Sequence, residues 1–447
     1  MSELIVAKAG GTSNCDASSV GLSLEWAEQS DVFVPSAPGR LAGEDNPNAA
    51  KVTDMLLAAR WEHLTHGEVP AHLTDMITGR FVDILSGLGK SATQSLWLNN
   101  IAPRAQETAR HGTDPISMLG ERLIAEVYGM HGFTILDPGR ATRDLGSDAE
   151  AWRGWLGRAF KPGEKYVLIG NTTRVSGQLK TFSRGGSDTS GGFAAYGIQA
   201  DLNLNLTDGG AKSADPRLVA RERVRHLEHL LYVEGRELGR NGTGLVHPAA
   251  MVPLMRGNIP TEIRSTFDRE APYTVLDNDT HRAEKRAGRI AALSLMENVI
   301  VHRVHEPGMA EAVGRLAAFE TALAEQGVAV IDSQGDGVDG QSYFVESADA
   351  DRAAKALRAA TKGGDIDSGD KISLVTLVGY MLEQRVIDNI FGLSLNSGMQ
   401  GKFWQAKGYP LSTGRHSLRV GVHPEDARDI LRRIHSNSIE ALTVSGL

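Results

Sequence analysis

Ten consecutive residues, Ser183-Arg184-Gly185-Gly186-Ser187-Asp188-Thr189-Ser190-Gly191-Gly192, combine four glycines with a cation, a carboxylate and a run of hydroxyls. Their flanks make them a constraint on the fold. Upstream, Tyr166 to Gly170 is a short apolar run of strand type, and downstream Phe193 to Ile198 is apolar enough to open a buried helix. A polar glycine loop between such elements sits at a helix N-terminus, where unpaired amides and the helix dipole favour anions. The same composition also makes a flexible turn with incidental charges, and the loop alone does not choose between the two.

The rest of the first half supports a layered α/β fold. Short apolar runs at Leu4 to Ala7, Val32 to Val34, Tyr166 to Ile169 and Leu202 to Leu206 alternate with longer helical patterns, which predicts a mainly parallel sheet between helices. Asp114-Pro115 supplies a cap and a first-turn proline for a helix carrying Leu119, Leu123 and Val127 at spacings of four, and that helix includes Gly120-Glu121-Arg122. A charged, non-periodic bridge at Thr280 to Arg286 places a domain boundary near residue 285. Beyond it, strands at 298–304, 328–332 and 342–345 and helices at 309–326 and 349–360 are followed by strands at 372–377, 390–395 and 418–422 and helices at 379–384 and 425–435. This order reads as two βαββαβ (ferredoxin-like) units in tandem, joined by the Gly-, Asp- and Lys-rich stretch 361–370.

At 447 residues the chain is too long for one small core, and its 41% hydrophobic and 23% charged composition is that of an ordinary globular protein. A formal charge of -8 without a long basic run argues against nucleic acid or an anionic membrane as partner. An anionic small molecule must then be met by particular Arg and Lys residues. One cysteine, Cys15, rules out an intrachain disulfide framework and fits a reducing cytoplasm. The N-terminal residues lack the pattern of a signal peptide, and no apolar run approaches bilayer length.

Lys8-Ala9-Gly10-Gly11-Thr12-Ser13 follows the first strand, so its glycines allow close backbone approach to a phosphate that Lys8 could reach, or else form a tight turn. Leu88-Gly89-Lys90-Ser91 imitates the end of a Walker A loop but has Ile84 where a glycine is required, and reads as a helix cap. Gly239 to Gly244 has the wrong spacing for a dinucleotide fingerprint. The 14 histidines form no zinc-type cluster, and His247-Pro248 reads as packing. Leu206 to Arg217 is a polar loop at a strand end, a usual ligand position in open sheets and equally the composition of a solvated loop.

Taken in order, these segments resemble the aspartate kinases, amino-acid kinase enzymes that phosphorylate the side-chain carboxylate of aspartate. Val6 to Ser13 resembles the family's Lys-Phe-Gly-Gly-Thr opening, and Val34 to Leu56 its Ser-Ala-Pro-Gly loop and Thr-Asp helix. Leu119 to Ala125 resembles the Gly-Glu-Arg-Leu element, Ser183 to Asp188 the Arg-Gly-Gly-Ser-Asp loop, and Ala214 to Arg217 the Ala-Asp-Pro-Arg of the nucleotide loop. His247 to Ala250 and Ile259 to Pro272 resemble the closing elements of the kinase domain. The resemblance implies an amino-acid kinase catalytic domain over 1–285 and tandem ACT-like regulatory domains over 291–447, at about 296–362 and 371–447, with an intertwined arrangement of the two as the alternative to separate units. ACT units pair across interfaces and bind amino-acid effectors, so a homodimer or larger homo-oligomer is expected.

A carboxylate nucleophile is already ionised at neutral pH and needs no general base, so catalysis can consist of alignment and charge neutralisation. By resemblance, Lys8 stabilises the β/γ-phosphates of ATP, with Gly10 and Gly11 as amide donors. Arg184 grips the α-carboxylate of L-aspartate, and Glu121 receives the α-ammonium. Ser36, Thr53 and Ser187 line the amino-acid pocket, while Asp188 helps place Lys8 and the Mg²⁺-bound phosphates. Thr207, Asp208, Lys212 and Arg217 contact ATP. The chain departs from the pattern at Ala9, in a 208–212 loop one residue shorter than usual, at Lys212 and Tyr273, and in a long connection from Asn396 to His416. Alternatives are a kinase of a related amino acid or carboxylate, and an inactive amino-acid sensor.

Overall fold

The computed structural model describes residues 3–41, 49–94, 98–111, 113–182, 185–240, 245–335, 339–382, 412–413 and 415–440. The chain divides into two compact units. The first comprises Met1–Ala211, His226–Gly239 and Gly244–Thr280, and the second Lys212–Arg225, Arg240–Thr243 and His281–Leu447.

In the first unit the strands are β1 (Ile5–Ala9), β2 (Val32–Pro35), β3 (Thr134–Leu136), β4 (Tyr166–Leu168), β5 (Thr173–Val175), β6 (Gln178–Lys180), β7 (Leu202–Thr207), β8 (His229–Leu231), β9 (Thr261–Ser265) and β10 (Thr274–Asp277). Eight of them form one sheet in the order β3-β4-β2-β1-β7-β9-β10-β8. Every neighbouring pair is parallel except β9 with β10. The central strands are mostly buried because both sheet faces are covered, although β1 carries Lys8 and β7 carries Asn203 and Asn205. The helices are α1 (Ala17–Glu28), α2 (Val52–His66), α3 (Ala71–Gly87), α4 (Ile101–His111), α5 (Thr113–Gly129), α6 (Ala149–Ala159), α7 (Gly186–Ile198), α8 (Tyr232–Arg240) and α9 (Pro248–Gly257).

Alternation along β1 separates the layers. Ala7 and Ala9 join a core with Phe81, Ile84, Leu119 and Leu123 from the helices of one face. The intervening Lys8 points to the opposite face, beneath α7. Helix α7 is buried over almost its whole length, which its run of Gly, Ala and Ser makes possible at short range from the sheet. Phe193 of α7 stacks on Trp152 of α6 at 5.5 Å between ring centres. The Leu88 segment is the helix cap that its sequence suggests: α3 ends at Gly87, and Gly89 takes a φ of 69°.

Among the described residues, the second unit is built on a six-stranded sheet ordered β12-β13-β11-β14-β16-β15. Its strands are β11 (Ala292–His305), β12 (Val330–Gly335), β13 (Gly340–Glu346), β14 (Asp365–Val378), β15 (Ser412–Thr413) and β16 (Ser417–Val422). After the short α10 (Thr280–Glu284), its helices are α11 (Arg315–Glu325), α12 (Ala350–Ala360) and α13 (Ala427–His435). The antiparallel strands with helices between them give the ferredoxin-like pattern. One expectation is corrected: residues 365–370 are not linker but the first part of β14, because the 14-residue β11 extends the ladder from Ala292↔Val378 to His305↔Asp365. Residues 379–382 are not helical, while 383–384, the strand expected at 390–395 and most of the 396–416 connection lie outside the described residues.

The segment Lys212–Arg225 belongs to this unit although it follows β7 in the chain. Its Ala214 and Val219 bury against Val375, Val420 and Ile430. Ser213 shares a 2.9 Å hydrogen bond with His435 Nε2, and its carbonyl accepts from the Leu293 amide at 2.8 Å.

Candidate active site

The carboxyl ends of β1, β2 and β4 meet the N-terminus of α7, the place where open α/β sheets hold ligands. Lys8 stands near the end of β1, in register with Val34 and Asn205 of the flanking strands. Its Nζ lies 2.5 Å from Asp188 Oδ1, in the first turn of α7. The other oxygen, Asp188 Oδ2, accepts from the backbone N–H of His247 at 3.0 Å. Asp188 thus holds Lys8 from one side while being held by the start of α9 from the other.

The loop after β1 touches the loop after β2 backbone to backbone. Gly39 donates its amide to the Gly11 carbonyl at 2.8 Å, and a Cβ on Gly39 would stand 2.6 Å from the Gly11 carbonyl carbon. Only glycine fits there. Gly10, expected to offer its amide to phosphate, instead donates to the Leu206 carbonyl at 3.3 Å because it prolongs the β1–β7 ladder. Gly11 does line the cavity.

On the other side, Glu121 projects from α5 into the same space. Its Oε2 accepts from the Ala37 amide at 2.5 Å, and its Oε1 from the Ser187 hydroxyl at 3.3 Å. Burial pushes this carboxyl up to about 7, against the opposing pull of those two donors and of the Lys8 charge. Thr53 enters from the first turn of α2, whose Val52 amide bonds to the Pro38 carbonyl at 3.1 Å. A 440 Å³ cavity is lined by Lys8, Gly11, Ser36, Thr53, Glu121, Ser187 and Asp188, together with Arg40, Lys51 and Asn171. It pairs an anion-binding end with an end presenting a buried carboxylate and hydroxyls.

The sequence-predicted residues divide accordingly. Lys8, Gly11, Ser36, Thr53, Glu121, Ser187 and Asp188 share the cavity. Thr207 and Asp208, at the end of β7, bond to each other at 3.0 Å and do not line it. Lys212 and Arg217 lie in the second unit, where Arg217 closes an ion pair on Asp215 at 2.6 Å that holds the Asp215 carboxyl below its usual range. Arg184 lies outside the described residues. Among those residues, no group of three or more His, Cys, Asp or Glu could hold a metal ion.

Three supports escape a reading of motifs. Asn14, fully buried, donates to the Gly10 carbonyl at 3.0 Å and accepts from the Tyr128 hydroxyl at 2.8 Å, fixing the glycine turn. Arg80 sits on the apolar face of α3 beside Ile77, Phe81 and Ile84, and its NH1 donates to the carbonyls of Gly39 at 3.1 Å and Cys15 at 3.3 Å. An arginine on an apolar helix face was the available signal. His247, expected to serve packing, anchors Asp188 with its main chain, which no side-chain reading reveals.

The profile of the amino acid kinase family matches residues 34–265, more than half of the chain, and the protein belongs to that family. Within it, the chain is 29% identical over 265 residues to aspartokinase 3 of Bacillus subtilis, covering 54% of this chain and 56% of that protein. It is 25% identical over 280 residues to the lysine-sensitive aspartokinase 3 of Escherichia coli, covering 59% and 58%. The matched part is thus little more than half of either relative. In fold it is similar to E. coli aspartokinase III in complex with aspartate and ADP, with a TM-score of 0.77, 22% identity, and coverage of 97% of this chain and 99% of that one. The aspartate kinase of Clostridium acetobutylicum gives a TM-score of 0.75 at 23% identity, covering 97% and 100%.

Proposed function

We propose that the protein is an aspartate kinase, transferring the γ-phosphoryl group of ATP to the side-chain carboxylate of L-aspartate to give 4-phospho-L-aspartate and ADP. The observation that carries this reading is the convergence in one cavity of the Lys8–Asp188 pair and the buried Glu121 carboxylate. The likeness to aspartokinases in sequence and fold supports it. Such an enzyme opens the route from aspartate to lysine, threonine and methionine.

Lys8 lies where a transferring phosphoryl group needs a cation, and Asp188 fixes its Nζ so that little reorganisation accompanies the reaction. Glu121 meets the α-ammonium of the acceptor, whose charge favours the ionised carboxylate, while Ser36, Thr53 and Ser187 offer hydroxyls around it. Arg184 is assigned to the α-carboxylate, which its planar fork suits. One oxygen of the ionised β-carboxylate attacks the γ-phosphorus as the bond to the β-phosphate oxygen breaks, and no proton moves. This explains why no His–carboxylate pair lines the cavity among the described residues. Mg²⁺ would be held chiefly by phosphates and water, and among the described residues Asp188 is the one carboxylate lining the phosphate end, a donor set that fits an ion arriving with the nucleotide. When bound it neutralises charge on the β- and γ-phosphates. Gly11, with Thr207 and Asp208 at the end of β7 in the same unit, is assigned to ATP.

The second unit is read as tandem ACT-like domains that bind an amino-acid effector and pair between subunits, giving a homodimer or larger homo-oligomer. The ferredoxin-like sheet and the lysine-sensitive relative support this. Buried, free Cys15 suits a reducing cytoplasm, and no helix among the described residues is long and apolar enough to cross a membrane. Protein incubated with ATP, Mg²⁺, aspartate and hydroxylamine should form aspartyl hydroxamate; a signal independent of aspartate overturns the reading. Repeating the assay with lysine, threonine or methionine tests regulation.

A further inference from the structure

Residues 38–41 and 49–52 run antiparallel at the edge of the cavity. The Leu41 amide donates to the Ala49 carbonyl at 3.0 Å, and the Val52 amide to the Pro38 carbonyl at 3.1 Å. The buried guanidinium of Arg80 ties the two stretches together: its NH1 donates to the Gly39 carbonyl at 3.1 Å and its NH2 to the Ala50 carbonyl at 3.4 Å. The residue that follows each held carbonyl is a cation, Arg40 in one stretch and Lys51 in the other, and both line the cavity. A buried arginine thus fixes the backbone that presents two exposed cations to the same space.

The balance of charge shows what these cations can do. Among the other described residues lining the cavity, Lys8 is the one cation, set against the carboxylates of Glu121 and Asp188. With Glu121 ionised that set is negative, and adding Arg184 brings it only to neutral. Both substrates are anions, since Mg²⁺ leaves the nucleotide with excess negative charge and aspartate carries two carboxylates against one ammonium. A neutral lining would neither attract them nor offset the repulsion between the attacking carboxylate and the phosphoryl group. Resting on the amino-acid kinase reading above, we propose that Arg40 and Lys51 are further substrate-binding residues, a cationic pair that takes up the excess negative charge of the acceptor carboxylate and the phosphoryl group as the two come together. Because the pair is exposed, salt screens it, and part of its effect falls on the encounter of the anions with the cavity.

The test is kcat/KM for aspartate in the full chain, measured by the hydroxamate assay between about 25 and 300 mM salt. Arg40→Gln and Lys51→Gln remove charge at exposed positions, so the thermal melt should stay that of the parent while each lowers kcat/KM at low salt by about tenfold. In the parent kcat/KM should fall as salt rises; in the double glutamine variant, whose lining is neutral or negative, it should be flat or rise. The charge-keeping variants Arg40→Lys and Lys51→Arg should stay within about threefold of the parent and retain its salt dependence. A double glutamine variant with the parent's kcat/KM or the parent's salt dependence overturns the inference. So do charge-keeping variants as impaired as the glutamine ones, since shape and not charge would then be what matters. A parent protein that forms no aspartyl hydroxamate overturns the kinase reading itself, and the inference with it.

Discussion

Glu121→Gln separates what the buried carboxylate does for binding from what it does to stability. Burial moves the carboxyl from its ordinary 4.5 to about 7. At about 1.4 kcal/mol per pH unit, that displacement amounts to about 3 kcal/mol in the free protein. The folded state binds the proton more tightly than the unfolded chain does, so the associated stability is fully present below pH 4.5 and is lost as pH rises to about 7. Glutamine keeps an acceptor for the Ala37 amide and carries no charge. The variant should therefore gain on the parent across that window, by up to about 3 kcal/mol above pH 7, and the gap should close near pH 4.5. Urea unfolding of both proteins at several values between pH 4.5 and 8.5, without ligand, measures it. Function should move the other way: the variant loses the partner of the ammonium, and its aspartate KM should rise at least tenfold at pH 8. In the parent, aspartate KM should fall as pH rises toward 7 and level off above it. Stability profiles that stay parallel, with a pH-independent offset, would refute a carboxylate whose burial outweighs its hydrogen bonds in that cavity.

Lys8→Ala should lower turnover in the hydroxamate assay by about a hundredfold or more with a modest change in melting temperature, and unchanged turnover would remove Lys8 from the chemistry. Gly39→Ala forces a methyl group against the Gly11 backbone at 2.6 Å, so urea unfolding should show a loss of about 1 to 3 kcal/mol together with a raised KM for ATP; an unaffected KM would uncouple the two loops. In the second unit, Arg419 of β16 and Asp332 of β12 form a largely buried ion pair at 2.9 Å. Arg419→Met alone should destabilise by about 3 kcal/mol or more, whereas adding Asp332→Leu should recover most of it, and equal losses in the single and double variants would contradict a buried pair.

The chain itself specified which elements form and which chemical groups are available. Strand patterns at Leu4 to Ala7 and Leu202 to Leu206, the Asp114-Pro115 helix start and the glycine loop before α7 are local signals, because periodicity, caps and φ requirements act over a few residues. They sufficed for the parallel sheet, whereas the cavity residues Ser36, Thr53, Glu121 and Ser187 were expected only through the family resemblance. Residues whose roles arise from packing were not legible. Arg80 and Asn14 brace the loops from elsewhere in the fold, and His247 acts through its main chain.

The stretch 361–370 shows the same limit. Its Gly, Asp and Lys content reads as a linker, yet the neighbouring β11 draws residues 365–370 into the sheet, because a strand satisfies its backbone with whatever partner lies alongside. Likewise, Lys212–Arg225 follows a kinase strand in sequence but buries Ala214 and Val219 in the second unit. Sequence thus determined the inventory of elements and of reactive groups. Tertiary structure decided which groups share a cavity, how far burial raises Glu121, and to which unit each loop belongs, since desolvation and long-range packing depend on the positions of residues far apart along the chain.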